Sequence, residues 1–143
     1  MKTIQQLLAN KEHKGVISIA PQRPVFDALV IMAEYQIGAL MVLDGDKLVG
    51  IFSERDYARE VVLKGKSSKT TAISEVMTAN VISSKLSDTV EQAMTVMTEK
   101  RIRHLPVVDN AKVVGMLSIG DLVKETIDYQ RRLIQQLESY ITG

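Results

Sequence analysis

The chain has 143 residues, of which 45% are hydrophobic and 24% charged, a globular composition that excludes a disordered or fibrous chain. Its 18 basic and 17 acidic residues give a net charge of +1, so no overall field draws it to nucleic acid or to an anionic membrane. The absence of cysteine excludes disulfides, thiol nucleophiles and cysteine-ligated metals, and with only two histidines we expect no metal site.

The N-terminal segment is not typical of a targeting sequence. Residues 1–10 lack the apolar core of a signal peptide, and no apolar stretch in the chain approaches the roughly 18 residues that a membrane span needs. We interpret His13, in a polar stretch, as a surface residue. The sequence therefore predicts a soluble cytoplasmic protein with no membrane partner.

An internal repeat organises the rest of the chain. The run that begins at Val16 as Val-Ile-Ser returns 65 residues later at Val81, and the register then holds without a gap. Apolar, acidic and glycine residues all recur at this offset. Examples are Val25 and Val90, Ala28 and Ala93, Met32 and Met97, Leu40 and Leu105, Val42 and Val107, Gly50 and Gly115, and Asp56 and Asp121.

Each copy predicts a β-strand followed by an amphipathic helix. The apolar positions of the helix follow the i, i+3, i+4, i+7 spacing of one helical face. They are residues 25, 28, 29 and 32 in the first copy and 90, 93, 94 and 97 in the second. Gly38 is placed to end the first of these helices.

A predicted β-hairpin and a second helix complete each copy, giving the order β-α-β-β-α. Asp-Gly at positions 44–45 and Asp-Asn at 109–110 are turn pairs between two apolar runs. The runs are residues 39–43 and 48–52 in the first copy and 105–108 and 113–117 in the second. A copy of about 50 residues is too small to bury both faces of its sheet, so we expect the copies to pack on each other.

The segment between the copies, residues 64–71, is short and polar. Its Gly-Lys-Ser at 65–67 matches the end of a P-loop, but that loop needs a glycine five residues earlier, where the chain has Glu60 in a predicted helix. The chain also contains no Gly-x-Gly-x-x-Gly, so a Rossmann dinucleotide site has no support.

The candidate binding residues lie where the second strand of each hairpin meets a helix. Ser53 and Asp56 in the first copy, and Ser118 and Asp121 in the second, share one spacing. In a structural interpretation each pair is a capping box. In a functional interpretation the free amides and the serine hydroxyl bind phosphate, and the aspartate accepts both hydroxyls of a ribose. Both interpretations use the same geometry and stay open here.

The doubled Gly-h-h-Ser-x-x-Asp motif, the ungapped repeat and the run Arg-Ile-Arg-His-Leu-Pro-Val-Val at 101–108 resemble the CBS domain, a family named after cystathionine β-synthase. The resemblance covers nearly the whole chain. It implies an α/β (α+β) fold of two β-α-β-β-α repeats packed through their sheets with pseudo-twofold symmetry, plus a long C-terminal helix. We assign the first repeat to 7–66, a linker to 67–75, the second repeat to 76–132 and a helical tail to 133–143.

The resemblance further implies two clefts that bind adenosine-containing ligands such as AMP, ADP, ATP, NAD(H) or S-adenosylmethionine. Carried over by position, the resemblance implies that Ser53 and Ser118 contact phosphate. It implies that Asp56 and Asp121 bind the ribose, and that Ile17 and Ile82 pack on either side of adenine.

Three basic residues have no basic counterpart in the other copy. Arg103 precedes an apolar strand, where a charge is costly unless an anion meets it, and in resembling modules this position faces a ligand phosphate. His104 is interpreted either as a ligand group or as a half-buried strand residue bonded to backbone, and either cleft could use these two residues. Arg55 is interpreted either as a solvated residue or as a clamp on a second phosphate. The unmatched positions in the other copy are Gly38, Ala39 and Gly120.

The last predicted helix runs from Leu122 to about Ile141 and carries an apolar stripe. Its members are Ile127, Ile134 and Ile141, seven residues apart, with Leu133, Leu137 and Tyr140 beside them. Such a stripe needs a partner, either the chain's own Ile4, Leu7 and Leu8 or another subunit. The resemblance implies a homodimer and favours both of these partners.

The sequence therefore predicts a non-catalytic regulatory module that binds an adenine nucleotide or dinucleotide and signals to an unidentified regulated protein. No paired general acid and base is visible beyond the motif acids, for which ribose binding is a simpler role. Two alternatives remain: an interaction scaffold that needs no ligand, in which the motif survives only as helix caps, and a hydrolase of adenylate ligands.

Overall fold

The computed structural model describes residues 2–10 and 16–142. Its helices are α1 (Ile4–Ala9), α2 (Val25–Tyr35), α3 (Glu54–Asp56), a π-helix (Tyr57–Val62), α4 (Ile73–Val76), α5 (Val90–Lys100) and α6 (Ile119–Thr142). The strands are β1 (Ser18–Ile19), β2 (Ala39–Asp44), β3 (Lys47–Ser53), β4 (His104–Asp109) and β5 (Lys112–Ser118). The β-α-β-β-α order predicted for each copy is confirmed, whereas the interpretation of His13 lies outside the described residues.

The first repeat contains a three-stranded sheet in the order β1-β2-β3. Strand β1 runs parallel to β2, with Ile19 opposite Val42, and β2 and β3 form the predicted antiparallel hairpin. The register places Ala39, at the start of β2, opposite Ser53, at the end of β3. The hairpin therefore brings the motif serine back beside the end of α2.

The second repeat contains the hairpin of β4 and β5. Its opening strand is reduced to one parallel bridge between Ser84 and Val107, which lie 65 residues after Ile19 and Val42. The Ser84 amide donates to Pro106 O at 2.9 Å, and the Val108 amide donates to Ser84 O at 2.9 Å. The parallel pairing of the first repeat is therefore repeated in a shorter form.

Contacts within the chain separate two compact units. One contains residues 2–10, 83–109 and 115–142, and the other contains residues 16–82 and 110–114. The N-terminal helix α1 thus belongs to the unit that holds most of the second repeat.

Backbone hydrogen bonds explain why α1 packs there. The amide of Ile4 donates to Asp88 O at 2.8 Å, Gln5 N donates to Leu86 O at 3.1 Å, and Val90 N donates to Lys2 O at 3.1 Å. The side chain of Ile4 is fully buried. Helix α1 therefore completes the core of the second repeat.

Helix α4 makes the same three bonds in the first repeat. The amide of Ile73 donates to Arg23 O at 2.9 Å, Ser74 N to Pro21 O at 3.0 Å, and Val25 N to Thr71 O at 2.8 Å. Because Ile73 is fully buried as well, each repeat is completed by a short helix that precedes the other repeat in the chain.

The predicted helical stripes form the cores. Val25, Ala28 and Met32 are buried in the first repeat, and their counterparts 65 residues later are buried in the second. The first core contains Ile19, Val25, Ala28, Met32, Leu40, Val42, Phe52, Val61, Ile73 and Val76. The buried apolar residues of the unit that holds most of the second repeat include Ile4, Val90, Ala93, Met97, Leu105, Val107, Leu117 and Leu122.

The end predicted for the first amphipathic helix was wrong. Helix α2 ends at Tyr35, and the left-handed residue is Gln36, with φ of 54°, rather than Gly38. Arg101 adopts the same conformation after α5. The Ile37 amide donates to Met32 O at 3.0 Å, so the backbone bonds of the helix end hold this conformation without a glycine.

The two repeat-related strand glycines provide a matched test of this packing. A Cβ added at Gly50 would lie 2.5 Å from Met77 Sδ and 3.0 Å from the carbonyl oxygen of Thr78, whereas one at Gly115 would lie 3.0 Å from a terminal methyl of Leu8. The Leu8 side chain can rotate, but the Thr78 carbonyl is fixed by its bond to Ile51. We expect Gly50→Ala to lower the free energy of unfolding by about 1–3 kcal/mol, and Gly115→Ala by less than about 1 kcal/mol.

Urea denaturation followed by circular dichroism measures both values. Equal losses in the two variants would contradict this account of the contact with residues 77–78.

Candidate functional site

The first-repeat site consists of Ser53 and Asp56 at the junction of β3 and α3. The Ser53 amide donates to Asp56 Oδ2 at 2.9 Å, and the Asp56 amide donates to Ser53 Oγ at 3.2 Å. The Ser53 hydroxyl also donates to Asp56 Oδ2 at 3.1 Å. The predicted capping box is therefore present, and both side chains are half-buried.

Thr78 joins this site and was missed by the sequence analysis. Its hydroxyl donates to Asp56 Oδ1 at 3.1 Å. Its backbone forms an antiparallel bridge with Ile51 in β3, with bonds of 2.8 and 2.9 Å. The 65-residue offset could not reveal Thr78, because it pairs position 78 with His13 and Gly143, neither of which carries a hydroxyl.

The helix after Ser53 is not the regular α-helix that the sequence predicted. α3 has three residues and continues as the π-helix Tyr57–Val62, in which Leu63 N donates to Ala58 O at 3.0 Å. A hydrogen bond from Lys64 lowers the pKa of the exposed Glu60 in this segment. Because this α-helical turn is so short, its macrodipole is small, and any binding chemistry at this junction would come from side-chain groups.

Arg55, the candidate clamp for a second phosphate, lies in α3 and is exposed. It lies between Ser53 and Asp56 in the chain, and its side chain is accessible to solvent.

The second-repeat site repeats the same junction. The Ser118 amide donates to Asp121 Oδ2 at 2.8 Å, and the Asp121 amide donates to Ser118 Oγ at 3.1 Å. In this repeat the following helix, α6, is regular and 24 residues long. The capping geometry is thus common to both repeats, while the helices that follow it differ.

The structure brings Arg103 to the second-repeat site through its backbone. The amide of Ile119, the first residue of α6, donates to Arg103 O at 2.8 Å. In the first repeat the amide of Glu54 donates to Gly38 O at 3.0 Å in the equivalent way. The Arg103 side chain is exposed. His104 follows as the half-buried first residue of β4.

The two candidate adenine-flanking residues, Ile17 and Ile82, are both half-buried. Ile17 packs against the core of the first repeat, next to β1. Ile82 lies two residues before the Ser84 bridge of the second repeat. Each thus retains some exposed apolar surface close to the opening strand of a repeat.

Within residues 2–10 and 16–142, no group of three or more histidines and acidic residues is placed to hold a metal ion. In the same part of the chain, no helix is long and apolar enough to cross a membrane.

The repeats match a known sequence family. The CBS domain matches residues 12–63 and again residues 73–128. This chain belongs to the CBS-domain family, with two copies in tandem. The assignment agrees with the doubled strand-to-helix motif and with the order of elements in each repeat.

Relatives support the same assignment. CBS domain-containing protein CBSX3, mitochondrial, from Arabidopsis thaliana is 39% identical over 124 residues, which are 83% of this chain and 60% of that protein. A CBS-domain protein structure from Burkholderia ambifaria has a TM-score of 0.85 and 46% identity, covering 89% of this chain and 95% of that one. The CBS domain pair of protein MJ0100, solved with 5′-methylthioadenosine and S-adenosyl-L-methionine, has a TM-score of 0.78 and 27% identity, covering 87% and 99% of the two chains.

Proposed function

We propose that this CBS-domain pair is a cytoplasmic, non-catalytic regulatory module that binds AMP, ADP, ATP or NAD(H). The observation that carries the proposal is the Ser–Asp junction, which recurs with the same reciprocal bonds at Ser53–Asp56 and Ser118–Asp121. Support for the ligand class comes from MJ0100, whose CBS domain pair was solved with two adenosine compounds. The bound ligand would alter contacts with a regulated protein.

The chemistry of the junction suits a nucleotide. Each aspartate is an ionised acceptor beside a serine hydroxyl, and a ribose offers two adjacent hydroxyl donors to such a carboxylate. The serine hydroxyl has one proton to donate to a phosphate oxygen. We therefore assign ribose to Asp56 and Asp121, and phosphate to Ser53 and Ser118.

The remaining residues would adjust each site to its ligand. We assign Arg103, together with His104, to phosphate at the second-repeat junction, because its backbone already contacts the first residue of α6. The exposed Arg55 would meet a second phosphate at the first-repeat junction, favouring ADP or NAD(H) there. Ile17 and Ile82 would pack on adenine through their exposed apolar surface.

A second candidate function is a protein scaffold that needs no ligand. It is favoured by the capping bonds themselves, since the reciprocal bonds between Ser53 and Asp56 are already formed without a nucleotide. In that case the motif residues stabilise the fold and nothing more. Binding and stability measured on the same variants separate the two functions.

We expect the double variant Asp56→Ala, Asp121→Ala to lose adenosine-ligand binding. Removing hydrogen bonds to a charged acceptor costs about 1.5–3 kcal/mol of binding free energy per site, whereas loss of the cap costs about 1 kcal/mol of stability. Isothermal titration calorimetry with AMP and ADP measures the first effect, and thermal denaturation the second.

The matched control is Asp44→Ala, Asp109→Ala, which removes the same charge from the exposed ends of β2 and β4. Unchanged affinity in a folded Asp56→Ala, Asp121→Ala protein would contradict the nucleotide function and leave the scaffold.

We further propose a homodimer formed through α6. Residues 130–142 of this helix are exposed throughout, including Leu137 at 63% and Ile141 at 82%. Helix α1 does not cover them, because they are exposed with α1 in place. The sevenfold spacing of Ile127, Ile134 and Ile141 is typical of a helix that pairs with another helix.

The charged residues beside the apolar stripe of α6 indicate that a second copy of the chain covers it, in antiparallel orientation. Arg131 and Glu138 flank the stripe on one side, seven residues apart. An antiparallel pair places this flank opposite the same flank of the partner, so Arg131 of each copy lies near Glu138 of the other. In a parallel pair the opposite flank would carry the apolar Leu133 and Tyr140, and these ion pairs would not form.

We expect Ile134→Lys, Leu137→Lys to weaken dimer formation at least about a hundredfold, because two apolar side chains lose their burial. Removing everything after Tyr129 would be a poorer test. Arg132 pairs at 3.1 Å with the carboxylate of Glu125, which is only 4% exposed, and a buried charge left with fewer partners destabilises the fold.

The control Gln135→Lys, Gln136→Lys adds the same charge on the opposite face of α6 and should remain dimeric. Light scattering coupled to size exclusion gives the masses. If the unaltered protein is monomeric at tens of micromolar, the proposed dimer is wrong.

A further inference from the structure

The carboxylate of Asp56 has little capacity left for a ligand. An ionised carboxylate offers about four acceptor positions, two on each oxygen. Oδ2 already accepts from the Ser53 amide at 2.9 Å and from the Ser53 hydroxyl at 3.1 Å, and Oδ1 accepts from the Thr78 hydroxyl at 3.1 Å. Groups in the described part of the chain thus occupy three of about four positions, leaving one on Oδ1.

A bare nucleoside and a nucleotide would meet this carboxylate differently. The two ribose hydroxyls need two acceptor positions, but the carboxylate of Asp56 has only one position left unoccupied. The hydroxyl of Ser53 has one proton, so donating it to a ligand phosphate withdraws it from Asp56 Oδ2. A phosphorylated ligand thereby opens the second position, while the Ser53 amide and Thr78 keep their bonds and hold the carboxylate in place.

We infer that Thr78 is a specificity-determining residue, which makes the first-repeat site bind 5′-phosphorylated adenosine ligands in preference to the bare nucleoside. The inference rests on the proposed function. Thr78 acts by occupying an acceptor position on Asp56 Oδ1, so that both ribose hydroxyls can bind only when a phosphate has taken the Ser53 proton. The ratio of the affinities for the phosphorylated ligand and the bare nucleoside is therefore larger than the phosphate contact alone would give.

The rigidity of Thr78 makes this effect possible. Two backbone hydrogen bonds to Ile51 fix the backbone of Thr78 beside β3, and Ile51 lies two residues before the end of that strand. A hydroxyl on a mobile loop would simply turn away to water when a nucleoside arrives. The fixed Thr78 backbone keeps the exposed hydroxyl within reach of Oδ1, so a nucleoside must either leave one ribose hydroxyl unpaired or displace an existing bond.

The inference concerns the first-repeat site, where the bond between Thr78 and Asp56 is observed. The helices α4 and α1 differ at this position. Thr78 lies two residues beyond the end of α4, in the bridge with Ile51, whereas Ala9, five residues after Ile4, is still the last residue of α1. We therefore assign this selectivity to the first-repeat site.

The test compares AMP and adenosine affinities by calorimetry in an Asp121→Ala background, which removes ribose binding from the second repeat. In the parent we expect AMP to bind far more tightly than adenosine. Thr78→Val frees a position on Asp56 Oδ1, and we expect it to narrow the ratio of the two affinities about tenfold, mainly by tightening adenosine. Thr78→Ser keeps a hydroxyl and should restore the parent ratio.

The matched control is Thr95→Val, because the Thr95 hydroxyl donates within α5 to Glu91 O at 3.1 Å. It should leave the ratio unchanged. Thr78→Ala replaces Thr78→Val if the valine variant does not fold. If Asp121→Ala does not fold, the amide NMR signals of Ser53 and Asp56 report binding at the first repeat in the otherwise unaltered chain.

The outcomes separate the two proposals. If AMP binds but the ratio is the same with threonine, valine and serine at position 78, the role of Thr78 is overturned and the proposed function stands. If neither AMP nor adenosine binds, or shifts the amide signals of Ser53 and Asp56, the proposed function fails as well. A ratio that narrows equally in Thr95→Val would also overturn the inference.

Discussion

The reciprocal hydrogen bonds between a serine and the aspartate three residues later are the interaction on which each repeat depends. Ser53 ends a β-strand, and its hydroxyl accepts from the amide of Asp56 while the carboxylate accepts from the serine amide. One pair of side chains thus satisfies the free amides where the chain turns from sheet to helix. The same pair leaves a carboxylate and a hydroxyl half-buried at the end of the sheet, which are the groups that we assign to the ribose and the phosphate of a nucleotide.

Duplication of this unit has produced two junctions with one geometry and different surroundings. After Asp56 the helix becomes a π-helix, whereas after Asp121 it continues to Thr142. The backbone carbonyl beside the junction belongs to Gly38 in one repeat and to Arg103 in the other. These differences lie outside the capping bonds, so they alter charge and hydrogen-bonding capacity without disturbing the strand-to-helix turn. On this account the two repeats bind related ligands with different preferences.

The sequence predicted those features that side-chain patterns encode. The apolar stripe from Val25 to Met32 predicts its own buried face, and Asp-Gly at 44–45 predicts the hairpin, because spacing and turn residues directly reflect helix and turn geometry. The capping pairs are predictable for the same reason. Periodicity also gives the long α6 and its exposed stripe.

Features held by backbone bonds were not predictable in this way. Helix α1 precedes the first repeat but packs in the second, and α4 precedes the second repeat but packs in the first. This packing depends on backbone amides and carbonyls such as Ile4 N and Asp88 O, which any sequence carries. The left-handed conformation of Gln36 and the π-helix at Tyr57–Val62 likewise lack a residue signature. Thr78 reaches Asp56 from 22 residues away, and only the folded chain brings them together.

The central claim is that the chain folds into a receptor for adenosine ligands and not simply into a capped scaffold. A thermal-shift panel of AMP, ADP, ATP and NADH, with GMP and ribose 5-phosphate as comparisons, tests it most directly. A ligand at 100 times its dissociation constant stabilises a single site by about 2.7 kcal/mol, which raises the melting temperature by roughly 5–15 °C in a domain of this size. The account predicts such a rise for at least one adenosine ligand and a much smaller one for the comparison compounds, and a melting temperature that no adenosine ligand changes at millimolar concentration would contradict it.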